Sequence, residues 1–209
     1  MKVYDYLIQN YKANEPVFLA EIEIDGISKV SVRQQMKKLT EAGKLKRFDT
    51  GIYFIPGKTI FCSGSQISRE EVLKRKYLEI KGDCIGYMSG VMFANQIGVT
   101  TQVPMVYEVT TNKATKDYRE TMLADTKVIL RKPRIPVTKE NYKILQFLDL
   151  MKDIDICAEL SGQALTNRLI VYMNKANIAF TDMEEYLPYY PDKVYKNMYQ
   201  VRLLSGISA

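Results

Sequence analysis

Apolar positions recur at helical spacing from the first residues. Val3, Leu7 and Ile8, with Tyr4 and Tyr11, place one greasy stripe on residues 2–12, and Lys2, Asp5 and Gln9 fall on the other side. The spacing predicts a first helix there. A break at 13–15 precedes Pro16, which suits the first turn of a helix because its missing amide needs no partner in that position, and Val17, Leu19 and Ile22 supply a buried side for a short second helix, Pro16 to Glu23. Asp25-Gly26 reads as a turn, and Ser28 as the N-cap of a third helix, Lys29 to Ala42, that Gly43 closes. On a helical wheel with Val32 at zero, Met36 lies at about 40° and Leu39 at about 340°. Arg33, Lys37, Gln34 and Lys38 lie at about 100°, 140°, 200° and 240°, on the opposite side.

The period then changes. Residues 44–48 alternate polar and apolar, Asp49-Thr50-Gly51 turns, and Ile52-Tyr53-Phe54-Ile55 returns with strong β formers before Pro56-Gly57. Three helices followed by a hairpin predict a winged helix-turn-helix over residues 1–61, whose third helix enters a major groove while the wing lies along the backbone. Cys62-Ser63-Gly64-Ser65 reads as a linker, and 65–209 as a second, larger domain.

In that second part Ser68 and Glu71 are spaced as a capping box for a helix running to about Lys81. Tyr87 to Gln96 reads as another helix, Met105 to Thr111 and Lys127 to Leu130 as strands. Asn141 to Lys152, Gly162 to Lys175 and Lys193 to Leu204 read as helices, with Ser161 and the Thr181 to Glu184 box marking starts. The fold class expected is therefore α+β: a winged helix-turn-helix, then a mixed α/β domain with a helical C-terminal end.

Composition narrows the function. Among 209 residues there is no histidine, which removes histidine-based acid/base catalysis, Ser-His and Cys-His nucleophiles and histidine zinc ligands. Cys62, Cys84 and Cys157 are far apart and read as reduced thiols of a cytoplasmic protein. No stretch of about 20 apolar residues could span a bilayer. There is no phosphate loop and no dinucleotide glycine fingerprint, so no enzyme, cofactor or metal is expected.

Charge carries more information than its total. The formal net charge is +6. Residues 1–27 hold two lysines against five acids, whereas residues 28–47 hold seven basic groups against Glu41 alone. Those cations fall on the third helix and the strand after it, where phosphate neutralisation by Lys and Arg would release counterions and where Arg33 and Gln34 can bond paired base edges. The residues expected to bind DNA are Ser28, Lys29, Ser31, Arg33, Gln34, Lys37, Lys38, Lys46 and Arg47, with Lys58 secondary. Residues 113–143 hold nine basic residues against four acids, and within them Lys127, Arg131, Lys132 and Arg134 form a second basic patch, read either as a solvated rim or as a partner surface.

The runs Val32-Arg33-Gln34-Gln35-Met36-Lys37-Lys38-Leu39, Gly43-Lys44-Leu45-Lys46-Arg47 and Gly51-Ile52-Tyr53 resemble the winged helix of the AbiEi-type antitoxins of abortive-infection (type IV) toxin–antitoxin systems. Gly86-Tyr87-Met88-Ser89-Gly90, Gly98-Val99-Thr100-Thr101-Gln102-Val103-Pro104 and Glu108 to Asn112 look like that family's antitoxin domain. Asp49 at the wing tip departs from the more basic tips of such families. The resemblance implies an autorepressor bound to double-stranded operator DNA at inverted repeats, as a homodimer or as paired monomers. It further implies a functional partner, a co-encoded nucleotidyltransferase-like toxin that the second domain counteracts with or without direct contact. The rival expectation is a winged-helix adaptor that holds protein or RNA and has no operator.

Overall fold

A computed structural model of the chain describes residues 2–58 and 64–204. It is mixed α+β and divides into two units, residues 1–76 and 77–209. The division falls beyond the linker read at 62–65, and residues 65–76 belong to the first unit. Cys62 and Ser63 lie outside the described residues.

The first unit opens with α1 (Lys2–Asn10), then β1 (Val17–Phe18), a 3-10 turn (Leu19–Glu21) and α2 (Lys29–Glu41). The wing follows as β2 (Lys46–Asp49) and β3 (Ile52–Phe54). The α-helix expected from Pro16 to Glu23 is absent. Val17 and Phe18 instead pair antiparallel with Tyr53 and Ile52, so the sheet order is β1-β3-β2. β-branched and aromatic side chains fit a pleated, half-buried surface, and pairing with β3 overrides the proline-led helix start. Val3, Leu7, Val17, Ile22, Val32, Met36, Leu39 and Leu45 form one buried cluster between these elements.

Two ties fasten the end of this unit. Gly57 N–H donates to Asn14 Oδ1 at 3.0 Å and to Ser65 Oγ at 2.9 Å, and the Ser65 hydroxyl donates to the same Asn14 oxygen. Asn14 sits at φ 64°, a left-handed conformation that asparagine tolerates better than most residues. The short helix α3 (Arg69–Leu73), capped by Ser68 Oγ accepting from Glu71 N–H, leads into a single wide turn at Lys74–Leu78 instead of continuing to Lys81. Arg75 on that turn pairs with Glu15 at 3.0 Å and Glu21 at 3.3 Å and donates to Pro16 O at 2.8 Å. Its guanidinium also lies over the rings of Tyr11 and Phe18.

The second unit begins with a small hairpin, β4 (Glu79–Ile80) and β5 (Asp83–Cys84). Next come β6 (Gly86–Ser89) and α4 (Gly90–Gln96), where the sequence reading has one helix from Tyr87. Gly90 explains the break: its φ of +62° turns the chain between strand and helix, and an added Cβ would stand 2.8 Å from the Glu108 carboxyl carbon. β7 (Val106–Thr111) and β9 (Thr126–Arg131) are where expected and pair in parallel. The unexpected strand is β8 (Tyr118–Leu123), which pairs antiparallel with β9 and completes a sheet ordered β6-β7-β9-β8. Polar side chains on most of β8 hide its period in the sequence.

The helical end contains α5 (Tyr142–Cys157), α6 (Gly162–Ala176), α7 (Phe180–Glu184) and α8 (Lys193–Gln200). α7 starts one residue before the box read at Thr181, with Ala179 N–H donating to Asp182 at 2.7 Å. Phe147, Leu148, Met151, Leu169, Met183, Val194 and Met198 pack these helices into one apolar cluster with Tyr87 and Phe93. Within it Asp149 accepts from Tyr87 Oη at 2.7 Å and from Thr110 Oγ1 at 3.4 Å, and burial pushes its carboxyl above the usual range. Cys84 and Cys157 are free thiols, each pushed up by burial.

Two outcomes are expected. Met36 is fully buried, so Met36→Ala should lower unfolding free energy by about 2–5 kcal/mol in a denaturant titration. The folded chain holds the Asp149 proton more tightly than the unfolded chain does. Its ionisation therefore costs stability above the folded pKa, and that cost fades as pH falls towards about 3.9. Asp149→Asn should raise the denaturation midpoint at pH 8 relative to the parent and converge with it near pH 4; parallel curves across that range would exclude this role for the carboxyl.

Candidate nucleic-acid interface

Helix α2 is built to show one face. Ser28 Oγ caps it by accepting from Ser31 N–H at 3.2 Å, Thr40 Oγ1 donates back to Met36 O at 2.9 Å, and Gly43 at φ +70° ends it. Val32, Met36 and Leu39 are buried, and Arg33, Gln34, Lys37 and Lys38 are exposed on the opposite side, as the wheel requires. The side chains of Arg33, Gln34 and Lys38 make no hydrogen bond or ion pair among the described residues. Lys29 faces Glu23 at 3.8 Å and Lys37 faces Glu41 at 3.9 Å. Both pairs are solvent-exposed, worth roughly 0–1 kcal/mol, and readily exchanged for a phosphate. Ser31 is half-buried, and its hydroxyl accepts from Gln35 Nε2 at 3.5 Å.

The wing cations behave differently from those on α2. Lys46 Nζ donates to Ser65 O at 3.2 Å, so this lysine fastens the start of the wing to the chain that follows it. Arg47 is exposed, but its Nε donates to Asp49 O at 3.3 Å and its Nη2 to Thr50 Oγ1 at 3.0 Å. Asp49 in turn accepts from Thr50 N–H. Asp49 at the tip thus organises the turn, and a bulge between Arg47 and Asp49 bends the strand. Lys58 is exposed beyond the wing.

Between α2, the 3-10 turn and the wing lies a groove of about 650 Å3. Phe18, Ile22 and Val32 form its floor, and Arg33, Arg47 and Lys76 stand along it. Lys76 was missed in the sequence reading because residues 68–81 are read there as a helix of the second domain; the run Lys74-Arg75-Lys76 was the available signal. Val30 was missed as well. It is 63% exposed on α2 at about 160° on the same wheel, between Lys37 and Gln34, where an apolar group can meet a thymine methyl.

The second basic patch does not gather into an open cationic face. Lys127 pairs with Glu120 at 2.8 Å, and that ammonium holds the Glu120 carboxyl below its usual range. Arg131 pairs with Glu108 at 3.1 Å and lies over the Tyr118 ring, while Arg134 donates to Tyr189 O at 3.3 Å and lies over Tyr190. Lys132 is exposed. Among the described residues no group of three or more metal-ligating side chains comes together, and no helix is long and apolar enough to cross a membrane.

With the geometry in place, one similarity stands out. The family model described as the Firmicute plasmid replication protein (RepL) matches residues 1–83. The matched span takes in the whole first unit, including α2, the wing and the Arg75 turn, and stops before β6. It covers the winged-helix part of the AbiEi resemblance and does not reach residues 86–112, which carry the antitoxin-domain part. No curated protein matches the chain.

Ser28→Ala removes the cap while leaving every exposed side chain of α2 in place. It should cost about 0.5–2 kcal/mol in the stability of the first unit, read by thermal or denaturant unfolding.

Proposed function

We propose that this chain is a duplex-DNA-binding regulator that reads sequence with α2 and grips the backbone around it. The observation that carries the reading is the two-sided α2: Val32, Met36 and Leu39 anchor it in the core, while the side chains of Arg33, Gln34 and Lys38 are exposed and have no hydrogen-bond or ion-pair partner among the described residues. A helix held this way can enter a major groove without repacking. Arg33 has the paired donors that suit guanine O6 and N7, Gln34 the amide that suits adenine, and Val30 an apolar contact for thymine. Lys29, Lys37 and Lys38 then serve the phosphates, with Lys44 and Lys76 beside them.

The finer reading joins this face to the resemblance in the second unit. The chain acts as the autorepressor and antitoxin of a type IV pair, cytoplasmic and without catalytic activity of its own. It binds inverted repeats upstream of its operon and counteracts a nucleotidyltransferase-like toxin through residues 77–209. Two half-sites call for two copies of α2 about one or more helical turns apart, hence a homodimer or paired monomers on DNA. The RepL match favours a second reading of the same face, in which the repeats belong to a plasmid origin. Footprinting the protein on its own upstream region and on the origin of its replicon separates the two. Co-expression with the neighbouring open reading frames tests the antitoxin role, which rescue of a growth arrest supports.

The combined Arg33→Ala, Gln34→Ala, Lys37→Ala variant should lose specific binding in a mobility-shift titration while keeping the parental unfolding midpoint; retained binding would reject α2 as the reader. Lys38→Ala should flatten the slope of log affinity against log salt by about 0.9, as expected for one lost phosphate contact. Lys46→Ala should change that slope less, because its ammonium is held by Ser65 O, and should instead lower the stability of the first unit.

A further inference from the structure

The second unit holds a recess of about 500 Å3 between the end of α4, the start of α5 and the length of α6. Its wall is aromatic. Tyr172 stacks on Phe147, with centroids 5.9 Å apart and planes 9° from parallel, and it meets the edge of Phe93 at 5.2 Å. Tyr142 also lines the recess. Around this apolar wall stand three cations, Lys143, Arg168 and Lys175, and no aspartate or glutamate lines the recess.

The cations are placed by helix geometry. Arg168 and Lys175 are seven residues apart on α6, which brings them to one face about 10.5 Å apart along the axis with Tyr172 between them. Neither side chain makes a hydrogen bond or ion pair among the described residues. The arginine lies beside Gly98, which turns the chain at φ +75°, and a Cβ there would meet the guanidinium carbon at 3.4 Å, an ordinary contact. Lys143 Nζ sits 6.0 Å from the centroid of the Tyr142 ring. The Tyr172 hydroxyl has no hydrogen-bond partner among the described residues; it is a donor at neutral pH, as an ordinary tyrosine is, and burial pushes its pKa further up.

Three like charges around one opening repel each other until an anion arrives, and the ring wall offers a stacking surface that a bare anion does not use. Recesses of this size bury small molecules with an apolar lining and a few placed polar groups. We propose that this recess binds a nucleoside phosphate, its base against the Tyr142 and Tyr172 wall and its phosphates on Arg168, Lys175 and Lys143. The site belongs wholly to the second unit and is independent of the DNA-reading face.

Isothermal titration of the full chain with ATP and with GTP tests this, with sodium triphosphate and adenosine as the phosphate-only and ring-only probes. The expected result is saturable binding of at least one nucleotide, tighter than either fragment. Arg168→Glu combined with Lys175→Glu should weaken it at least tenfold, and Arg33→Glu combined with Lys38→Glu should leave it unchanged. Lys175→Gln, which removes one charge at an exposed position, should weaken it several-fold and keeps the test decisive if the double variant does not fold. No saturable binding of either nucleotide at millimolar concentration would overturn the proposal, as would triphosphate binding as tightly as ATP, or loss of binding in the Arg33 and Lys38 variant.

Discussion

The first unit depends on the burial of one stripe, Val32, Met36 and Leu39, against α1, β1 and Leu45. Interiors are close-packed, so the stripe sets the rotation of α2 about its own axis as well as its position. Because side chains four residues apart share a face, setting the rotation of the buried side also sets that of the cationic side. The orientation of Arg33 and Gln34 is a packing result, reached before any ligand is present. An interface that is already oriented loses less conformational entropy when a partner arrives.

Cations in this chain fall into two kinds, and position along the sequence does not tell them apart. Arg75, Lys46 and Arg131 are engaged by carboxylates, carbonyls or rings of their own unit and hold strands, turns and loops together. The side chains of Arg33, Lys38, Arg168 and Lys175 have no such engagement among the described residues. Glu15 and Glu21, two of the five acids that make the first 27 residues negative, are the counter-charges of Arg75. A local net charge is thus a sum over structural and available groups, and only the second kind bears on binding.

Much of the fold was legible in the sequence for physical reasons. The third helix, its cap and its stop follow from Ser28, the stripe spacing and Gly43, all local signals. The wing hairpin and the parallel strands follow from β-branched runs. What failed depends on partners remote in sequence. Val17 and Phe18 become a strand because β3 lies beside them, and residues 86–89 become one because β7 does. β8 is an edge strand, most of whose side chains face solvent, so it lacks the alternation that marks a half-buried strand. At the candidate site the outward face of α2 was legible, whereas the tethering of Lys46 and Arg47 was not, since it depends on Ser65 and on the bend of the turn.

Residues 65–76 alter what counts as a module. Ser65 closes a knot with Asn14 and Gly57, and Arg75 clasps Glu15, Glu21 and Pro16 some sixty positions upstream. These bonds pull the tail of the winged helix back onto its beginning, much as a strap returns to the buckle. A gene fusion or recombination junction placed just after the hairpin would leave the Glu15 and Glu21 carboxylates without their guanidinium and Asn14 without the Ser65 hydroxyl, although every side chain of the exposed cationic face of α2 would still be encoded. By these contacts the first structural unit extends through Lys76, well past the wing.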